Sequence, residues 1–384
     1  MKTRHILMTA ALGLLAASPA PAQTTERPKD RPRLEMVFVL DTTGSMGGLL
    51  DGAKQKIWSI VNGVLKSPDH PSVRVGLVAY RDHSDAYITK VTPLTADLDK
   101  VYGTLMDYRA EGGGDTPEDV RQALADGVRR AGWSARSPRL AQVLFLVGDA
   151  PPHDDYAQEP STLATTARAV QTGLIVNTIE CGPAEDTRVA WQAIARRGEG
   201  QFLAIAEDGG VQSVPTPYDK PLAELGSRMG RTYTAYGGGG FGGGAAAYQS
   251  ANAHRQAAAE SKVMAAAPAP AAADRAVNKA INSDAYDGDL MQSLENGSVR
   301  LDRVKPEDLP IEMQKLLPQV RQQEIAKRLA QRKTMRAQIL QLSRKRESFL
   351  AEASKKKSSA KPSGFDAAVS AALRKELAPK GIRL

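Results

Sequence analysis

VFVLDTTGSMGG, residues 37–48, sets four apolar residues against an acid, three hydroxyls and three glycines. With Leu34 and Met36 upstream, LEMVFVLD is an apolar run that closes on a turn, the pattern of a parallel strand covered on both faces. The apolar residues that follow, Leu49, Leu50, Ala53, Ile57, Ile60, Val61 and Val64, fall three or four apart. That spacing predicts an amphipathic helix, ended by Ser67-Pro68.

The same alternation continues to about residue 230. SVRVGLVAY (72–80) reads as a second strand, and YITKVTPL (87–94) as a third whose polar content suits an exposed edge. Helical spacing follows over 97–108 and 117–130, and then LAQVLFLVGD (140–149) repeats the first strand, again closing on an acid. LATTARAVQTG is a helix stopped by Gly173, LIVNTIECG a fifth strand, DTRVAWQAIARRG a helix stopped by Gly198, and QFLAIA a sixth strand. Strands alternating with helices predict an α/β fold around a doubly wound, mostly parallel, six-stranded sheet.

Ligands of such a sheet bind beyond the carboxyl ends of its strands. Three loops there carry oxygen donors. The first offers Asp41, Thr43 and Ser45, an acid and two hydroxyls at alternate residues, with Gly44 letting the turn close. The second is EGGGDTPED (111–119), in which Thr116 precedes Pro117, and the third is Asp149. Carboxylates and hydroxyls without a nearby Cys or paired His describe a site for a hard cation, Mg²⁺ before Mn²⁺ or Ca²⁺. Each piece also has a plain structural use. An Asp before Thr is common turn chemistry, and either Thr116 with Asp119 or Asp115 with Glu118 would cap the following helix.

Taken together, Asp41-Thr42-Thr43-Gly44-Ser45, then GGGDT ending at Thr116, then Asp149 resemble the metal-ion-dependent adhesion site of von Willebrand factor type A domains. The resemblance covers residues 34–230. It implies strand order 3-2-1-4-5-6 with one antiparallel edge, and Mg²⁺ at the top of the sheet. It further implies that Ser45 and Thr43 bind the metal directly and Thr116 in one conformation. Asp41 and Asp149 would act directly or through waters, and a protein partner's Asp or Glu would complete the octahedron. Thr43 stands where Ser is commoner, keeping the hydroxyl but adding a methyl. Such a protein binds rather than catalyses. An Asp ending a first strand also resembles the nucleophile of haloacid-dehalogenase-type phosphatases, the less favoured hydrolase reading, but Thr43 stands where those need a second acid. PPHDDY (151–156) and RDHSD (81–85) read as polar loops rather than further metal sites, since one His with adjacent acids lacks the spacing of common zinc sites.

The remainder of the chain is different. MKTRHILMTAALGLLAASPAPAQ has a basic start, an apolar run too short to span a bilayer, and Ala20-Pro21-Ala22. That is the pattern of a secretory signal over 1–22, cleaved after Ala22, followed by a linker over 23–33 and placing the mature chain in the periplasm or outside the cell. No other stretch has transmembrane length. Cys181, the single cysteine, reads as a small buried strand residue. Residues 231–281, with YGGGGFGGG and an Ala-rich continuation, read as a disordered flexible linker. Residues 282–384 read as a basic, largely helical region, with a helix over 318–356 whose apolar stripe is too thin to favour a coiled coil. Beyond residue 310 there are eighteen Lys or Arg against six Asp or Glu, so the net charge of +8 belongs to this tail. An anionic envelope surface is therefore a second expected partner; secretion disfavours nucleic acid.

Overall fold

A computed structural model describes residues 31–114, 116–206, 208–210, 214–238, 244–356 and 364–384. The signal-like segment, most of the 23–33 linker, Asp115 and the glycine tract at 239–243 lie outside the described residues.

The head alternates as its sequence predicts: β1 (Arg33–Asp41), α1 (Gly47–Leu65), β2 (Ser72–Tyr80), β3 (Thr89–Thr95), α2 (Leu98–Asp107), α3 (Val120–Arg129), β4 (Leu140–Gly148), α4 (Thr162–Thr172), β5 (Ile175–Cys181), α5 (Glu185–Arg197) and β6 (Glu199–Ile205). The sheet order is β3-β2-β1-β4-β5-β6. Only the β2–β3 pair is antiparallel. β1 lies at the centre, which explains its unbroken apolar run. Leu34, Met36, Phe38 and Leu40 pack towards α1 and α2. Val37 and Val39 pack on the other face with Leu124 of α3 and Trp191 and Ile194 of α5. Because successive strand residues point to opposite faces, both faces of one strand are spent on core. Gly173 ends α4 at φ 96°, the left-handed conformation of a glycine stop. Cys181 is buried and free.

The second half of the chain differs from its sequence reading. α6 (Asp219–Gly230) is followed by α7 (Gly244–Ala266), α8 (Ala269–Ile281), α9 (Leu290–Glu295), α10 (Ile311–Gln314), α11 (Pro318–Lys356) and α12 (Phe365–Leu377). The Ala-rich stretch expected as flexible linker is thus largely helix. Alanine has the highest helix propensity, and small side chains let these helices pack closely. Ala271, Ala273 and Ala276 are buried. α12 lies against α1 and β6. Val263 of α7, Ala271 of α8 and Phe365, Val369 and Leu373 of α12 share one core with β1 and α1. Phe365 meets Phe38 with ring centroids 5.9 Å apart. The helical region is therefore a cover on the head.

Some of the basic residues of α11 are used in this packing, while Lys327, Lys333, Arg344, Lys345 and Lys355 stay exposed. Arg332 reaches Asp289 at 2.6 Å, Arg346 bridges Asp219 and Asp274 at 2.6 and 2.7 Å, and Arg336 meets Glu295 at 2.9 Å. Ile325, Met335 and Ile339 are its buried apolar stripe. No helix among the described residues is long and apolar enough to cross a membrane.

Candidate metal centre

The carboxyl ends of β1 and β4 place Asp41 and Asp149 at the same edge of the sheet. Asp41 is fully buried. Its Oδ1 accepts hydrogen bonds from the Thr43 backbone N–H at 2.8 Å and the Thr43 hydroxyl at 2.7 Å. Its Oδ2 is buried with no hydrogen-bond partner. Burial pushes the Asp41 carboxyl up to about 7 against the pull of the Thr43 hydrogen bonds, and the charge of Asp149 adds to the rise. Close approach here depends on Gly148, where a Cβ would come within 2.5 Å of the Tyr80 hydroxyl and 3.1 Å of Asp41 Oδ2. The Tyr80 hydroxyl is itself buried and makes no hydrogen bond of ordinary geometry, though it lies near enough to Asp41 to pull its carboxyl down.

Thr42 faces elsewhere. Its hydroxyl donates to the Tyr80 carbonyl at 2.8 Å and lies 2.7 Å from the Tyr87 hydroxyl. It belongs to the loop scaffold, while Thr43 faces Asp41. Ser45 is exposed in the short turn of helix at Gly44–Met46. The second loop is fastened to the first by backbone bonds: Gly44 N–H to the Gly112 carbonyl at 3.1 Å, and Glu111 N–H to the Thr42 carbonyl at 3.1 Å. Gly112 has φ 81°, a conformation that favours glycine, and a Cβ there would displace the Asp85 carboxylate.

Thr116 is exposed in the bend before Pro117. It does not cap the following helix, and the helix does not begin at 117. α3 starts at Val120 with Asp119 as its cap, Oδ1 accepting from the Gln122 N–H at 2.8 Å. Residues 117–119 are instead held to the loop after β4, with Glu118 bridged to Pro152 and its N–H bonded to the Pro151 carbonyl at 3.1 Å. This leaves Glu118 outside the helix and buried, with Oε2 lacking a partner. Burial, followed by the charges of Asp41, Asp82, Asp85 and Asp149, pushes its carboxyl up to about 9. Sequence reading assigned Glu118 only to a cap. The signal for it is the ED pair after Pro117, legible only once the helix start is known.

The geometry therefore gathers Asp41, Thr43, Asp149 and Glu118, and sets Ser45 and Thr116 in the exposed turns of the two loops that Gly44 and Gly112 fasten together. Orphaned buried carboxylate oxygens, each raised by neighbouring acids, are what a cation relieves. The donor set fits a hard divalent ion.

A second polar cluster lies beside this one. The two loops that sequence reading set aside, 81–85 and 151–156, pack together. The Tyr156 ring is stacked between His83 and His153, each at 4.1 Å between centroids. Its hydroxyl donates to both carboxylate oxygens of Asp82, at 2.8 and 2.9 Å.

The head is similar in sequence to von Willebrand factor A domains. A family model described as von Willebrand factor A domain matches residues 35–216, a little under half of the chain. Von Willebrand factor A domain-containing protein 7 of Homo sapiens is 30% identical over 179 residues, 44% of this chain and 19% of that protein. An ariadne-like RING finger protein of Acanthamoeba polyphaga mimivirus is 30% identical over 141 residues, 34% of this chain and 13% of that protein. The chain thus spans under a quarter of the length of these curated relatives. Among solved structures, the SpRpn10 VWA domain is 16% identical, covering 46% of this chain and 89% of its own, with TM-score 0.34. BatB from Bacteroides thetaiotaomicron is 14% identical, covering 46% and 90%, with TM-score 0.32.

Proposed function

We propose that the von Willebrand factor A domain of residues 35–216 presents a divalent cation, Mg²⁺ first, to an acidic group on a protein partner. The buried, partnerless Asp41 Oδ2 beside Asp149 and Glu118 carries this reading. Asp41, Thr43, Ser45, Thr116 and Asp149 would hold the ion, and Glu118, in reach of the same charges, joins the set. When bound, the ion supplies a positive centre that attracts a carboxylate. The protein's own part is to keep the donors in place: Asp41 fixes the Thr43 hydroxyl, and the Gly112 carbonyl fixes the turn that carries Ser45.

The role is binding, not catalysis. In this reading the Thr43 hydroxyl gives its proton to Asp41 and keeps its oxygen lone pairs for the ion. The basic tail as an independent anionic-surface element has less support, because Arg332, Arg336 and Arg346 already face internal carboxylates. The N-terminal pattern supports secretion, which N-terminal sequencing of the mature protein checks by finding residue 23 first.

The direct test is calorimetric titration of Mg²⁺ into metal-free full-length protein and into Asp41→Ala. A stoichiometric isotherm in the first and none in the second supports the reading, and no binding in either refutes it. Capture of a partner in Mg²⁺ but not in EDTA, lost again with Asp41→Ala, then identifies the acidic ligand.

A further inference from the structure

We propose a second cation site on the head, formed by His83, Asp119 and Glu159 and suited to a transition ion of the zinc class. One ligand atom from each of the three lies within 4.8 Å of the others. His83 Nε2 is 3.2 Å from Asp119 Oδ2 and 2.8 Å from Glu159 Oε1. The residues come from three separate segments, the loop after β2, the cap of α3 and the loop before α4, so chain proximity does not explain their meeting.

The observation that points to a ligand is the state of the carboxylates. Asp119 has no exposed surface, and its Oδ1 is already used by the Gln122 N–H. Its Oδ2 is directed at the His83 ring nitrogen, yet is buried and accepts no hydrogen bond. Glu159 Oε2 is likewise buried and without a partner. Burying carboxylate oxygens without partners is unfavourable, and more so when they are charged. A cation between them satisfies both at once, and His83 supplies a neutral nitrogen to the same point.

The donor types choose the ion. An imidazole with two carboxylates leaves a tetrahedral position open, the arrangement of three-ligand zinc sites. The nitrogen donor turns preference from Mg²⁺ and Ca²⁺ towards first-row transition ions. Ligands on such an ion at about 2.1 Å stand roughly 3.4 Å apart, so the present separations open by a few tenths of an ångström on binding. Scaffolding is in place: Tyr156 stacks on the His83 ring, and Arg121 donates to the carbonyls of Asp154, at 3.1 Å, and Glu159, at 2.5 Å, fixing the loop. Asp119 directly follows Glu118, so adjacent residues serve the two clusters.

The competing occupant is a proton, carried by His83 as an imidazolium bridging the two acids or shared between the Asp119 and Glu159 carboxyls. Zn²⁺ titrated into metal-free full-length protein in saturating Mg²⁺ distinguishes them, with Co²⁺ absorption as the spectroscopic readout. The site predicts one tight equivalent of Zn²⁺ and a d–d spectrum with nitrogen and oxygen ligation. His83→Ala weakens that equivalent by at least about tenfold, since even residues behind the ligands are worth that much. The His83 side chain is 45% exposed, so its removal spares the fold, and Glu159→Gln, which keeps the shape, gives the same loss. Ser45→Ala and His153→Ala retain the equivalent. Zn²⁺ binding absent, or unchanged in His83→Ala and Glu159→Gln, overturns the site and leaves the proton.

Discussion

Arg275 of α8 forks over Asp99 of α2, its Nε 2.6 Å from one carboxylate oxygen and its Nη2 2.5 Å from the other. The same guanidinium holds Glu260 of α7 through two further hydrogen bonds, and Lys279 closes the set on Glu260. All four are buried, so the head and its helical cover are joined by a dry ion network. Burial opposes the charge on Asp99, but Arg275 and Lys279 outweigh it and hold its carboxyl below the ordinary range. Removing one partner of such a network leaves an uncompensated charge, at about 3–5 kcal/mol. Arg275→Met is therefore expected to lower stability by about 3 kcal/mol or more, read from thermal or urea unfolding. A melting temperature equal to wild type contradicts the assignment.

Shortening the chain to Gly230 removes the residues that cover Phe38 and α1. Each fully buried apolar side chain uncovered costs roughly 1.5–3 kcal/mol, and Phe365, Val369, Leu373 and Leu377 are four such partners. A chain ending at residue 230 is expected to bind ANS and to melt well below the full protein. A cooperative, ANS-silent melt at the full-length temperature would show the cover to be dispensable.

Glu376 of α12 gives a pH test of the same interface. Its Oε2 accepts from Asn177 Nδ2 at 3.2 Å, and its Oε1 is buried near the Gln201 amide without a hydrogen bond of ordinary geometry. Burial pushes its carboxyl from the ordinary 4.5 up to about 7, against the pull of Asn177 and Gln201. The folded state thus binds the proton more tightly than the unfolded one. No stability is lost below about pH 4.5, and roughly 3 kcal/mol is lost as pH rises from there through 7. Glu376→Gln, always neutral and still able to accept from Asn177, should remove this loss. Its stabilising effect is expected to be near zero at pH 4.5 and largest at pH 8, read from urea unfolding at both. Equal effects at the two values contradict the assignment.

How far the sequence speaks depends on the range of the interaction. β1 and β4 are readable because a central strand spends both faces on core, and the run of apolar residues ending in Asp41 or Asp149 says so locally. The edge strand betrayed itself by alternation, and Gly173 by its place after the last helical turn. The alanine-rich stretch was misread because its helices are stabilised from outside: Ala271 and Ala276 count as core only when α1 and α6 lie against them. The internal pairing of Arg275, Arg332 and Arg346 was not legible because their acids, Asp99, Asp289 and Asp219, are far away in the chain. Around the candidate metal centre the position of Asp41 and Asp149 at strand ends was legible from the apolar runs, whereas Glu118 was hidden by a helix expected three residues early. The meeting of His83 with Glu159 had no local signal at all.

The turn itself separates scaffold from donor. Thr42→Val deletes bonds to the Tyr80 carbonyl and the Tyr87 hydroxyl, and is expected to cost about 1 kcal/mol for each. It should leave the Mg²⁺ response intact. Ser45→Ala, at an exposed position, is expected to melt like wild type without metal and to lose most of the Mg²⁺ shift. Thermal melts of both variants with and without Mg²⁺ check this, and the reverse pattern would exchange the roles of the two residues.

The central claim is that Asp41, carrying a buried and partnerless Oδ2, anchors a cation. The measurement is the melting temperature of full-length protein in EDTA and in excess Mg²⁺, beside Asp41→Ala under the same conditions. A ligand present at about a hundred times its Kd stabilises by about 2.7 kcal/mol, so wild type should melt several degrees higher in Mg²⁺ and Asp41→Ala should not respond. Identical wild-type curves in EDTA and in Mg²⁺ would contradict the account.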